Sequence, residues 1–162
     1  MEQDLNNAVE KGDLAAVSAL LEKGTDVNET GEDAFTPLIV AANTGNLDIA
    51  KKLIQSGADV NVKCQRDITA LKMAAGEGHV EMIKLLLENN ADINEAGGTL
   101  PAILVAATNG HIDVVKLMLE KGALVDLNDE REHEAVIDAA HAGHLTIAKL
   151  LMEKKDNQEE KK

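Results

Sequence analysis

Aromatic side chains are almost missing from this chain: Phe35 stands alone, with no tyrosine and no tryptophan among 162 residues. A core without rings must be aliphatic, and a surface without rings has nothing on which to stack bases. Cations are scarce too, with 16 Lys and Arg against 29 Asp and Glu for a formal net charge of −13. The basic face that phosphate binding needs is therefore absent, and nucleic acid is not an expected partner. The single cysteine, Cys64, excludes an internal disulfide. No apolar stretch has the length and flanks of a signal peptide or a membrane span, so the expectation is a soluble, cytoplasmic protein with no membrane partner.

Catalytic groups are equally sparse. The serines Ser18 and Ser56 are the only two, and neither adjoins a histidine or a sharp strand-to-helix turn. Cys64 needs a base within hydrogen-bond reach, and His133, in the equivalent turn two copies later, is about 20 Å away if helical layers stand about 8–10 Å apart. There is no phosphate-cradling glycine loop. No enzyme and no cofactor are expected.

What the chain does have is a glycine on a fixed beat. Gly12, Gly45, Gly78, Gly110 and Gly143 follow one another at intervals of 33, 33, 32 and 33 residues. A period of this length marks a supersecondary unit that buries its apolar face only against its neighbours. Each beat glycine is followed by an apolar run with helical spacing, such as Leu47-Asp48-Ile49-Ala50 and Val80-Glu81-Met82-Ile83. Twelve residues after the beat comes a stop, at Gly24, Gly57, Asn90, Gly122 and, in the last copy, Lys155. Glycine and asparagine tolerate the left-handed backbone that ends a helix. Ahead of the beat sit Ala41-Ala42, Ala74-Ala75, Ala106-Ala107 and Ala139-Ala140, small enough for neighbouring helices to approach closely. The pattern predicts an elongated stack of helix pairs.

Thr36-Pro37-Leu38 ahead of Ala41-Ala42 and Gly45, and Gly57-Ala58-Asp59-Val60-Asn61 after the second helix, resemble the signature of the ankyrin repeat family. Worn copies are similar: Thr69-Ala70-Leu71-Lys72 with Gly78-His79, Asn90-Ala91-Asp92-Ile93-Asn94, and Gly110-His111 with Gly122-Ala123. The resemblance implies an all-α repeat solenoid of helix-turn-helix pairs joined by β-turn-like fingers. It implies about five repeats including terminal caps, at residues 3–28, 29–61, 62–94, 95–126 and 127–155. These make one domain over 1–155, followed by a charged disordered tail over 156–162. The function it implies is a protein-protein interaction module or scaffold. A natural adaptor and an engineered or redesigned array, the latter carrying a designed binding or reactive site, are both open.

Ankyrin arrays generally hold partners on the concave side, with the finger tips and the exposed face of the first helices. Carried over copy by copy, the tips are Glu32, Asp33 and Phe35; Gln65, Arg66 and Ile68; Gly97, Gly98 and Leu100; then Glu130, Arg131 and His133. The first helices offer Asn43 and Thr44, Gly76 and Glu77, Thr108 and Asn109, and His141 and Ala142. Phe35, Ile68 and Leu100 hold equivalent places and form an apolar stripe with Phe35 as first anchor, or else pack under their own turns. The acidic excess suits a basic or mixed-charge protein partner; it also serves simply to keep the array soluble and monomeric. The usual tip glycine is replaced by Ala34, Asp67, Thr99 and Glu132, which leaves the tip conformation open.

A few residues stand outside this frame. Lys72 sits where Ile39, Leu104 and Ile137 stand in other copies. Buried without an acidic partner it would be an amine nucleophile; with its stem on the apolar layer and its ammonium at water or at Asp67 it is structural. Asp138 replaces Val40, Met73 and Val105, three residues expected in the core, and shares a helical stripe with Glu134 and His141. That stripe would hold a divalent metal only with help from His133 or His144, and a polar outer face on a terminal repeat accounts for it as well. His79, His111 and His144 each follow a beat glycine, a repetition that assigns them to capping or hydrogen bonding in the inter-helix turn. At the start of the chain Leu5, Ala8 and Val9 are expected to pack inward, with Asn6, Asn7 and Glu10 facing water.

Overall fold

The computed structural model describes residues 4–31, 34–95, 97 and 99–159, with side chains as far as residue 153. The described residues form ten helices and no strand: α1 (Leu5–Glu10), α2 (Leu14–Glu22), α3 (Pro37–Thr44), α4 (Leu47–Gln55), α5 (Ala70–Glu77), α6 (Val80–Glu88), α7 (Ala102–Thr108), α8 (Ile112–Glu120), α9 (Glu130–His141) and α10 (Leu145–Glu159). Odd-numbered helices pack side by side in one layer and even-numbered helices in a second, and each odd helix rests on the even helix that follows it.

Local chemistry sets most of the boundaries. Thr36 and Thr69 open α3 and α5 by accepting the N–H groups of Ile39 and Lys72 on their hydroxyls, at 3.4 and 3.2 Å. Asp13 and Asn46 do the same for α2 and α4, accepting from Ala16 and Ile49 at 2.9 and 3.1 Å. The fourth copy has Pro101 at the threonine position; it stands just before α7 and makes no side-chain cap. The α6 stop at Asn90 is left-handed, with φ +66°. The alanine pairs of α3, α5 and α7 are fully buried, while Ile49, Leu53, Ile83, Leu86, Val115 and Met118 fill the space between layers. The core needs no ring.

Copies are stapled together at their far ends by asparagines. Asn28 Oδ1 accepts the N–H of Asp59, Asn61 Oδ1 that of Asp92 and Asn94 Oδ1 that of Leu124, at 2.9, 2.8 and 2.9 Å. Each asparagine N–H is in turn accepted by the carboxylate two residues before it, Asp26, Asp59 or Asp92. The ladder ends in the fourth copy, where Leu124 and Asp126 replace the aspartate and asparagine, and Leu124 is left 55% exposed.

Two fingers close with the same pair of bonds. The Gly31 N–H donates to Phe35 O and the Ala34 N–H to Gly31 O; the Cys64 N–H donates to Ile68 O and the Asp67 N–H to Cys64 O. Both tips require left-handed backbone, and residues with a Cβ supply it: Ala34 has φ +58°, Arg66 +73° and Asp67 +55°. That conformation costs an L-residue about 1–2 kcal/mol, partly offset by the greater chain entropy of glycine. Ala34→Gly is expected to stabilise the protein by about 0.5–1 kcal/mol and raise Tm by about 2 °C. A thermal melt with Tm unchanged or lowered would show that the tip carries no such strain.

Two expectations are corrected at the C-terminal end. The last connection is not a finger: α3, α5 and α7 begin eight residues before their beat glycines, whereas α9 begins thirteen before Gly143. Asp129 Oδ1 accepts the N–H groups of Arg131 and Glu132 at 3.0 and 3.2 Å, and Glu132 Oε2 accepts that of Asp126 at 2.7 Å. The Asp129 cap starts the helix early, and Glu132 ties it to the turn before it. The hydrogen bond from Arg131 holds the Asp129 carboxyl below the usual range, while burial pushes that of Glu132 up. Further on, α10 does not stop at Lys155 but continues to Glu159 through residues expected to be disordered. Residues 155–159 contain neither glycine nor proline, and lysine, glutamine and glutamate are good helix formers. Residues 160–162 lie outside the described residues.

Candidate functional site

The first finger is held against α1. Asn6 Nδ2 donates to Phe35 O at 3.0 Å, so Asn6 is half-buried rather than facing water. Gly31 sits so close to this amide that a Cβ there would lie 2.5 Å from Nδ2. The Phe35 ring packs against the margin of the core and also lines an open cavity of about 370 Å³. Ile39, Val40, Asn43 and Thr44 of α3, Met73 of α5, and Asp4, Asn7 and Glu10 from the region of α1 also line it. The ring is half-buried: it supports its turn and presents a face to solvent.

Val40, Met73 and Val105 are not core residues. All three are half-buried, and Val40 and Met73 floor the cavity. The reason is helical phase. Leu38, Ala41 and Ala42 point at neighbouring helices, and Val40, two steps from Leu38, is turned about 200° from it. Asp138 occupies the same register on α9 and is exposed.

A second cavity, of about 310 Å³, opens on the same face between Thr99, Leu100, Thr108, Arg131, Glu134, Ala135 and Asp138. Gln65, Arg66, Asn43, Thr44, Glu77, Asn109, Glu130, Arg131, His133 and His141 are exposed, while Ile68, Leu100 and Thr108 are half-buried. Several polar members serve the frame first, among them the Thr44 hydroxyl, which donates to Ala41 O at 3.3 Å. Asn109 Nδ2 donates to Gly76 O at 2.8 Å, and the Thr108 hydroxyl bonds back to Leu104 O and Val105 O of its own helix. Glu130, Arg131 and His133 stand on the early turns of α9 instead of a finger tip. Glu32, Asp33 and Gly98 lie outside the described residues. Among the described residues no three His, Cys, Asp or Glu side chains gather as a metal site, so the stripe of Glu134, Asp138 and His141 forms no ligand set.

His79 and His111 act between copies, not as helix caps. His79 Nε2–H donates to Asn43 O at 3.1 Å and His111 Nε2–H to Gly76 O at 2.8 Å, each reaching into the preceding copy. Neither makes a side-chain cap to its own helix. Their rings lie over the beat glycines Gly45 and Gly78.

Lys72 is buried at 5% exposure and fully partnered. Its Nζ donates to Asp67 O at 3.0 Å and to Thr99 Oγ1 at 2.9 Å, and forms an ion pair with Glu95 Oε2 at 2.7 Å. The acidic partner is thus Glu95 of the next copy, and Asp67 contributes its backbone oxygen. Glu95 Oε1 receives Lys63 Nζ and the Gly97 N–H, both at 2.6 Å. Partial burial pushes the Glu95 carboxyl up, but the hydrogen bonds from Lys63, Lys72 and Gly97 outweigh it and hold the pKa at about 2. The same contact with Glu95 raises that of Lys63. An ammonium committed to a carboxylate and two further acceptors is a structural tie between fingers, not a nucleophile. Cys64 is buried as well, its thiol donating to Gln65 O at 3.1 Å.

Among the described residues no helix is long and apolar enough to cross a membrane. No curated protein matches the chain. A family model described as ankyrin repeats (3 copies) matches residues 5–97 and 95–162. From its paired helices, its beat glycines and this match over nearly its whole length, the chain belongs to the ankyrin repeat family.

Proposed function

We propose that the chain is a protein-binding module that holds its partner on the concave face made by the first helices and the finger tips. Ankyrin repeats are generally protein-protein interaction modules. The observation that carries the reading is the open cavity beside Phe35, whose floor of Val40 and Met73 lies among the exposed amides and hydroxyls of Asn43 and Thr44. An apolar floor with a polar rim is what a desolvated anchor needs. The same positions differ from copy to copy while the alanine pairs repeat, as expected of a variable surface on a constant frame.

The test is capture from cell lysate by the intact chain beside a folded Phe35→Ala, Arg66→Ala, Arg131→Ala variant. A partner held by the intact chain and reduced at least tenfold on the variant is the expected result. A partner retained equally by both would move the function off this face.

A further inference from the structure

Resting on that reading, we infer that the cavity at the N-terminal end of the face receives a large apolar side chain carried on a basic segment of the partner. Phe35, Val40 and Met73 give it an apolar side, and Asp4 and Glu10 an acidic one; among the described residues no Lys or Arg lines the cavity. Asp4 is already engaged through Oδ1 with the Asn7 N–H at 2.7 Å, while Glu10 is exposed at the rim. The corresponding first-helix positions of the later copies are Asn43, Gly76, Thr108 and His141, none of them Lys or Arg, and the whole chain carries −13.

A ligand that put an acidic residue at this rim would meet like charge in a partly desolvated place, which disfavours wrong partners strongly. A Lys or Arg next to the inserted apolar group meets Glu10 instead, and its long aliphatic stem can lie along the same floor. Specificity then comes from two elements together: an apolar anchor in a pocket and a cation within a few residues of it. The net charge adds long-range attraction for a basic segment, a contribution that salt removes.

The experiment selects random 12-residue peptides displayed on phage against the immobilised full chain, then measures the enriched peptides by fluorescence anisotropy. Expected is an enriched set with Lys or Arg within three positions of a large aliphatic or aromatic residue. Binding of the leading peptide should fall at least tenfold on Glu10→Lys and on Val40→Asp, and should weaken as salt is raised. Val40→Asp copies the residue that the last repeat tolerates at this register, and circular dichroism checks that each variant is folded. Enriched peptides without a basic bias, or none at all, overturn the inference. So does binding lost on Asp138→Lys but kept on Glu10→Lys, which leaves the concave-face reading standing; binding indifferent to all three variants removes both.

Discussion

Gly78→Ala is expected to destabilise the protein by about 3 kcal/mol, whereas Gly143→Ala, the same change at the last beat, should cost about 1 kcal/mol. Both glycines have left-handed backbone, with φ +76° and +93°, so both variants suffer the intrinsic penalty of placing a Cβ there. Only one meets a neighbour. A Cβ on Gly78 would stand 2.6 Å from Nδ1 of His111, and one on Gly143 meets nothing within 4 Å. Relieving the overlap means moving the His111 ring, and with it the 2.8 Å bond to Gly76 O that ties the third copy to the fourth. Urea unfolding of the two variants measures the difference. Repeating Gly78→Ala in a His111→Ala background isolates the steric part, because the cost should then fall to that of Gly143→Ala. Equal losses for Gly78→Ala in both backgrounds would mean that the ring does not enforce the glycine.

The beat glycine was legible because a fixed interval survives in one dimension; its second cause was not, because the rings that cover Gly45, Gly78 and Gly110 come from the next copy. The alanine pairs and inter-layer aliphatics were equally plain, each being a local pattern with a local reason. Val40, Met73 and Val105 were misplaced by residue type, since apolar side chains on a helix suggest core until phase is counted from Leu38 and the alanines. The Asp138 of the last copy was the available signal: a position that accepts valine, methionine and aspartate is a surface position. The early start of α9 was also written in the chain, as Asp129-x-x-Glu132, but the repeat register outweighed it. Lys72 shows the opposite limit. Its partner Glu95 is 23 residues away, and only the stacking of one finger on the next brings the two within 2.7 Å.

Removing that partner should be the more damaging half of an unequal pair: Glu95→Ala is expected to cost about 3–5 kcal/mol and Lys72→Leu about 1 kcal/mol or less. Glu95→Ala strands an ammonium at 5% exposure with only a carbonyl and a hydroxyl to face. Lys72→Leu puts in a side chain of the kind that Ile39, Leu104 and Ile137 supply in other copies, and leaves Glu95 with Lys63 and the Gly97 N–H. In the Lys72→Leu background, Glu95→Ala should therefore cost about 1 kcal/mol, the shortfall measuring the coupling. Acid makes the same point without mutating the lysine. The Glu95 carboxyl titrates at about 2 in the folded protein against an ordinary 4.5, so its contribution is complete above pH 4.5 and drains away as pH falls towards 2. A shift of that size corresponds to about 3 kcal/mol at most, and water around Lys63, whose side chain is 44% exposed, reduces it to about 1–2 kcal/mol. Stability of the parent chain relative to Glu95→Gln, followed by urea unfolding from pH 6 to pH 2, should decline through that window. A difference that stays constant would mean that the carboxylate is not held by its cations, and the Lys72 tie would have to rest on Asp67 O and Thr99 alone.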